Sequence, residues 1–370
     1  MAHKCIFCGK VISEKSKEHV IPQWLIEMTG DKKRTANFGI DYSKIFDDRI
    51  DPESIKSREY PFLQFAFPAC KKCNEMYGSG LEADTQKVLT KVLTDQKINV
   101  DETRTLLDWF DKVRIGLWLG YLYYNKQLET LDPKFYINDR IGQKDRALFV
   151  YKCKGEEEGI NIVGPGGMLF SMIPSCFLIR INNYIFLNIS NDSLLLKDLG
   201  YPYLTVNSIN GEGNLGGVVT AGLGTINQDL LSEYKIKTTS KAIFQPIFKQ
   251  YKEICQSKDP YVISNSLVQG EGIGGIYIKD REIRRMEENE EYSLEPRELF
   301  ENLYGLLNIL GRRTARILID FASEVQKRVE ESGLPDDRKK EMLTEIQMAV
   351  TSEKLRMQHI EYELANISGE

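Results

Sequence analysis

Histidine is scarce in this chain: His3, His19 and His359 are the three among 370 residues. Long apolar runs are missing as well. The longest, Ile115–Tyr124, is flanked by Arg114 and Lys126 and falls short of the roughly 20 residues that span a bilayer. No apolar segment follows Met1-Ala2-His3-Lys4, so we expect no secretory signal. No internal repeat is present, which excludes solenoids and propellers. An excess of positive charge is also lacking. The net charge of −5 argues against a uniformly basic nucleic-acid binder and leaves local patches as the place to look. These absences lead us to expect a cytoplasmic protein with no membrane association, in a compartment where thiols stay reduced.

What is present is ordinary globular composition. Hydrophobic residues make up 42% and charged residues 28%, and the length suffices for two or three domains with a sizeable core.

The seven cysteines carry the first specific signal. Cys5-Ile-Phe-Cys8 and Cys70-Lys-Lys-Cys73 are paired Cys-x-x-Cys motifs, the usual ligand set of a closed tetrahedral zinc site. Disulfides or buried thiols are the alternative, and a reducing compartment favours metal. A structural Zn²⁺ contributes folding free energy on the order of 10 kcal/mol to a segment too small for its own core. Cys153, Cys176 and Cys255 are scattered and read as small buried apolar groups.

Between the pairs lies Glu18-His19, followed by Val20-Ile21-Pro22, and Asn74 directly follows the last cysteine of the second pair. A neutral imidazole can take a proton from water near pH 7. Glu18 is a hard oxygen ligand suited to Mg²⁺ or Mn²⁺, and Asn74 offers an amide oxygen to the same ion. A base, a carboxylate and an amide oxygen are what metal-assisted phosphodiester hydrolysis uses. Taken singly, His19 reads as a satisfied strand histidine and Glu18 as a solvated acid. The zinc-type pairs strengthen the catalytic reading because they draw residues 19 and 74 into one small module.

The segment from Cys5 to about Glu82 resembles HNH endonucleases of the ββα-metal type, in the zinc-bearing branch where Cys-x-x-Cys, an acid-His pair and Cys-x-x-Cys-Asn occur in that order. Cys73-Asn-Glu-Met-Tyr-Gly-Ser-Gly-Leu-Glu82 is similar to a stretch common in bacterial members. The resemblance implies that His19 is the general base, that Glu18 and Asn74 ligate the catalytic divalent ion, and that Cys5, Cys8, Cys70 and Cys73 hold the structural zinc. Glu82 is a further ligand candidate, a group that supports the ligands from behind, or a helix-surface acid. Glu18 stands where Asp is common, and Asn74 matches either the middle Asn of the family motif or its last residue. Lys17, Lys71 and Lys72 are candidate phosphate contacts, with Lys10, Lys15 and Lys32-Lys33-Arg34 also near.

Along the chain we expect an α+β protein in four segments. Residues 1–85 form the ββα-metal, treble-clef-like zinc module, with Val11-Ile12 and Val20-Ile21 as a short hairpin and Phe62–Phe67 as a strand. Residues 25–60 read as an insertion near the active face. Residues 86–130 form a helical segment packing on the module, the pattern itself running over 84–126. Residues 131–285 are β-rich, with strands at Ala147–Tyr151, Cys176–Ile181 and Tyr184–Ile189 and a tight turn at Asn182-Asn183. Two G-x-G-x-x-G strings, from Gly211 and Gly270, lack the strand–loop–helix context of a nucleotide loop. Residues 286–370 form a helical hairpin broken at Gly333–Asp336, with a coiled-coil-type seam that suits a homodimer interface.

The expected function is a metal-dependent endonuclease acting on DNA, with RNA left open and a role in restriction or phage defence implied by the resemblance. The alternative is a zinc-stabilised nucleic-acid or protein binding module without catalysis.

Overall fold

The computed structural model describes residues 3–30, 35–40, 57–62, 66–124, 133, 135–142, 146–156, 158–165, 170, 174–190, 203–213, 215–220, 245–248, 272–279, 282–285, 291, 299–300 and 303–367. Helix and sheet are mixed throughout. Strand β1 (Lys15–His19) is followed by helix α1 (Gln23–Met28). Strands β2 (Thr35–Ile40) and β3 (Ser57–Pro61) then pair antiparallel with each other. Strand β4 (Ala66–Cys70) returns to pair antiparallel with β1, in a register that sets Glu18 opposite Phe67 and His19 opposite Ala66.

This arrangement differs from the expected hairpin of Val11-Ile12 with Val20-Ile21. Val11 makes an isolated bridge to Lys4, and Val20 and Ile21 lie beyond β1, fully buried. The polar sequence Lys-Ser-Lys-Glu-His is the strand because β4 offers it backbone partners, while the more apolar dipeptide is taken up by packing. The strand expected over Phe62–Phe67 is likewise divided. Phe62 follows β3 outside any strand, residues 63–65 lie outside the described residues, and β4 begins at Ala66. The insertion at 25–60 holds most of α1, all of β2 and most of β3, and its residues 31–34 and 41–56 lie outside the described residues.

Helix α2 (Lys71–Tyr77), a π-helical segment (Gly78–Glu82) and helix α3 (Ala83–Leu93) run on without a break. The helical pattern expected over 84–126 is interrupted at 94–99, where Asp95 adopts φ +58°. Helix α4 (Val100–Tyr124) starts at Asn99, whose side chain accepts from Glu102 N (2.9 Å) while Glu102 Oε2 accepts from Asn99 N (3.0 Å). This reciprocal cap satisfies two orphan donors at the helix start.

Helix α4 is central to the fold. Lys112, Gly116 and Gly120 recur every four residues and therefore share one face. Gly116 meets Val20 and Gly120 meets Phe67, so this face packs on β1 and β4. Phe110, elsewhere around the helix, packs at a tilt against Phe177 and Phe186 with ring centroids 6.4 and 5.1 Å away.

The short helix α5 (Ile137–Arg140) leads to strands β5 (Arg146–Cys153), β6 (Ile160–Val163), β7 (Cys176–Ile181) and β8 (Tyr184–Ser190). Next come β9 (Tyr203–Ile209), β10 (Leu215–Thr220), β11 (Gln245–Phe248), β12 (Gly272–Lys279), β13 (Glu282–Arg285) and β14 (Leu299–Phe300). The main sheet has the order β14-β5-β8-β7-β6, with β14 parallel to β5 and the other pairs antiparallel. Asn182 at φ +52° makes the β7–β8 turn, where the sequence signal had it. Gly211 and Gly213 sit in the β9–β10 turn and Gly216 within β10, so the first glycine string builds a β-hairpin. Gly270 lies outside the described residues.

Alternation along the main sheet sends Phe177, Ile179, Ile181 and Phe186 into one core, shared with α4 and the amino-terminal module. Leu178, Ile185, Leu187 and Ile189 enter a second core. That core is closed by helices α6 (Leu303–Glu331) and α7 (Asp336–Ile367), which form the expected hairpin. The seam residues Leu307, Leu310, Ile317, Phe321, Val325, Ile346 and Val350 are buried there against the sheet. Packing within the chain thus takes up the apolar face that suggested a dimer. Cys153 and Cys176 are buried as expected, and Cys255 lies outside the described residues. No helix among the described residues is long and apolar enough to cross a membrane.

Candidate functional site

The four paired cysteines converge. Their Sγ atoms all lie within 4.8 Å of one another, and none is in a disulfide. The first pair sits in a tight loop in which Cys5 N donates to Lys10 O (2.9 Å) and Gly9 N to Cys5 O (2.8 Å). Gly9 is needed there. Its φ of +69° is left-handed, and the Tyr136 ring occupies the space a Cβ would take. The second pair spans the junction of β4 and α2, and Cys70 N donates to Cys5 Sγ (3.2 Å). A tetrahedral ion with Zn–S of about 2.3 Å needs sulfurs about 3.8 Å apart, which this cluster can supply with small rotamer changes. Soft thiolates of this number suit zinc. Burial pushes the thiols of Cys5 and Cys73 up, and for Cys73 the neighbouring sulfurs add to it. Four thiolates this close would repel one another, and a cation among them offsets that repulsion.

The cluster pins the start of α2 against β1. Asn74, one residue past Cys73, donates from Nδ2 to Ser16 Oγ (2.7 Å) and to Lys17 O (3.5 Å). The structure thus brings residue 74 to the strand that carries Glu18 and His19. His19 is half-buried at the end of β1. Burial, then the charges of Lys17 and Lys112, hold its imidazole below the ordinary histidine value, so the neutral form is favoured.

Glu18 turns inward. It is 6% exposed, and its Oε1 lies 2.5 Å from Lys112 Nζ of α4. Glu82 is equally buried and pairs with the same ammonium, so it is not a helix-surface acid. It also accepts from Trp24 Nε1 (2.9 Å) and from Trp109 Nε1 (3.2 and 3.3 Å to its two oxygens). The π-helical segment explains the inward turn. A wider turn shifts the register of the following residues, and Glu82 closes that segment. Burial pushes the Glu18 carboxyl up, against the pull of Lys112. Burial alone would lower Lys112, but the two carboxylates outweigh it and raise it.

Lys112, Trp24 and Trp109 were not among the residues that sequence motifs singled out. A signal was there. Asp111, Lys112 and Arg114 are charges inside an otherwise apolar helical run, and Lys112 heads the Gly116–Gly120 stripe.

Of the candidate phosphate contacts, Lys17, Lys71 and Lys72 are exposed. Lys71 lies 3.9 Å from Glu75. Lys32, Lys33 and Arg34 lie outside the described residues. Among the described residues, the four cysteines are the one cluster of His, Cys, Asp or Glu that could hold a metal ion.

No family model matches this chain, and no curated protein or solved structure matches it either.

Proposed function

We propose that the protein is a metal-dependent endonuclease that hydrolyses phosphodiester bonds of DNA at His19. The single observation that carries the reading is the Asn74–Ser16 hydrogen bond, because it joins the thiolate-anchored helix α2 to the strand bearing the acid-His pair. His19 takes a proton from water, the oxygen attacks phosphorus, and the bond to the leaving oxygen breaks. Glu18 and Asn74 would hold a divalent ion, Mg²⁺ or Mn²⁺, which would supply charge stabilisation for the phosphate and leaving group. Asn74 uses its amide nitrogen on β1, so its carbonyl oxygen is the atom for the ion. Lys112 engages Glu18 Oε1, so the reading assigns the ion to the other carboxylate oxygen. Lys17, Lys71 and Lys72 supply phosphate contacts around the site.

Zinc in the four-cysteine site is structural in this reading and takes no part in the step. Action against foreign DNA, with RNA as the alternative substrate, belongs to the same reading through its resemblance to HNH nucleases, and a homodimer for double-strand cleavage would use a surface other than the buried hairpin seam. A non-catalytic zinc-stabilised binding module is the second reading, favoured by the cysteine cluster alone.

The test is incubation of purified protein with supercoiled plasmid across Mg²⁺, Mn²⁺ and chelator. Wild type should nick with Mg²⁺ or Mn²⁺, and His19→Ala should lose nicking while keeping its zinc and its fold. Equal nicking by wild type and His19→Ala would remove His19 from the mechanism. DNA binding with no cleavage under any ion would leave the binding module.

A further inference from the structure

Lys112 is fully buried on α4 with a carboxylate on either side, Glu18 from β1 and Glu82 from the π-helical segment. Two indoles, from α1 and α4, complete the arrangement by donating to Glu82. Stability by itself is a poor explanation for these charges. Apolar residues of similar volume would avoid the desolvation cost, and such replacements are often neutral or stabilising. The cluster does have one geometric consequence. It fixes the carboxylate of the residue directly before His19, from an element outside the zinc module.

We propose that Lys112 is a positioning residue of the His19 site, orienting the Glu18 carboxylate, and that Glu82, Trp24 and Trp109 hold Lys112 in place. The proposal rests on the endonuclease reading for its kinetic consequence only. Partners that orient a metal-binding carboxylate are worth about 10–100-fold in activity or affinity. Remote orientation acts on the reacting geometry and not on DNA contacts, so kcat should change while KM stays.

The experiment has two arms. In the first, plasmid nicking is compared for wild type, Lys112→Met and Glu82→Gln, with zinc content and denaturation midpoint checked on each. The expected result is a 10–100-fold fall in kcat with unchanged KM in a zinc-loaded, folded Lys112→Met protein. Should Lys112→Met fail to fold, the isosteric Glu82→Gln serves, and the same fall is expected. A folded variant with wild-type kcat overturns the proposal, as does a loss that appears in KM alone.

The second arm needs no activity. The chain has three tryptophans, so the indole N–H signals of ¹⁵N-labelled protein are few. Glu18→Gln should move the Trp24 and Trp109 signals, which are linked to Glu18 through Lys112 and Glu82, and leave Trp118 in place. Unmoved Trp24 and Trp109 signals overturn the relay. If wild type nicks nothing while these signals move, the endonuclease reading fails and the relay stands.

Discussion

Gly116 of α4 lies so close to Val20 that a Cβ built on it would come within 2.9 Å of both Val20 methyl carbons. The glycine is what lets the helix reach the end of the strand bearing His19. Gly116→Ala gains helix propensity of about 1 kcal/mol but must push Val20 aside, and overpacking costs about 1–3 kcal/mol. We expect net destabilisation, read as a lower urea midpoint. Gly78→Ala is the control. That residue is right-handed helical with open space around its Cβ position, so it should hold or raise the midpoint.

Zinc removal should unfold the amino-terminal module. The four sulfurs join a loop at residues 5–8 to a strand–helix junction at 70–73, and Cys5 Sγ accepts the Cys70 amide. Metal analysis should find one zinc per chain. Cys70→Ser should lose it, together with protection of the module in hydrogen exchange. An apo protein with unchanged protection would show that the site contributes nothing to the fold.

Asp111 should be among the costliest residues to remove. It is fully buried, bonded to Arg114 at 2.9 Å and near Arg146 at 3.5 Å. Asp111→Ala leaves buried guanidinium charge without its partner, and breaking such a pair costs about 3–5 kcal/mol. Equilibrium denaturation measures this. A cost under about 1 kcal/mol would mean that Asp108, which pairs with Arg146 at 2.5 Å, takes over.

Alkaline pH should loosen the start of β8 at Tyr184. Burial, reinforced by the hydrogen bond it donates to Asp95, pushes its phenol up to about 12 from an ordinary value of 10.0. An acid whose folded value is raised favours the protonated fold. Its contribution is therefore complete below pH 10 and is lost as pH rises from 10 towards 12. Tyr184→Phe should flatten the fall in stability over that window, measured by thermal unfolding at successive pH values.

The hairpin seam gives a prediction about assembly. Leu310 is fully buried in the core between α6 and the main sheet. Leu310→Ala should cost about 2–5 kcal/mol, by an amount independent of protein concentration. A cost that grows on dilution would place the seam between two chains.

Much was legible in the sequence because local chemistry dictated it. Cys-x-x-Cys spacing foretold the four-cysteine cluster, apolar runs separated by turns foretold β5, β7 and β8, and Gly333-Leu334-Pro335 marked the break between α6 and α7. The strand pairing in the module was not legible. Lys15–His19 carries no alternating apolar signal, and its partner β4 lies about fifty residues away, across an insertion. The helix expected over 84–126 hid a turn because Asp95 adopts a left-handed backbone that a polar residue tolerates without a glycine to announce it.

The amino-acid sequence alone determined the donor set: four thiols in two pairs, one imidazole beside one carboxylate, and an amide directly after the last cysteine. Residue type and spacing suffice for that, since they set what each group can bond. Tertiary structure alone decided where Glu18 and Glu82 point. Their direction depends on a lysine and two indoles brought in from α1 and α4, and on a π-helical turn, and no motif spacing encodes a meeting of groups so far apart in the chain.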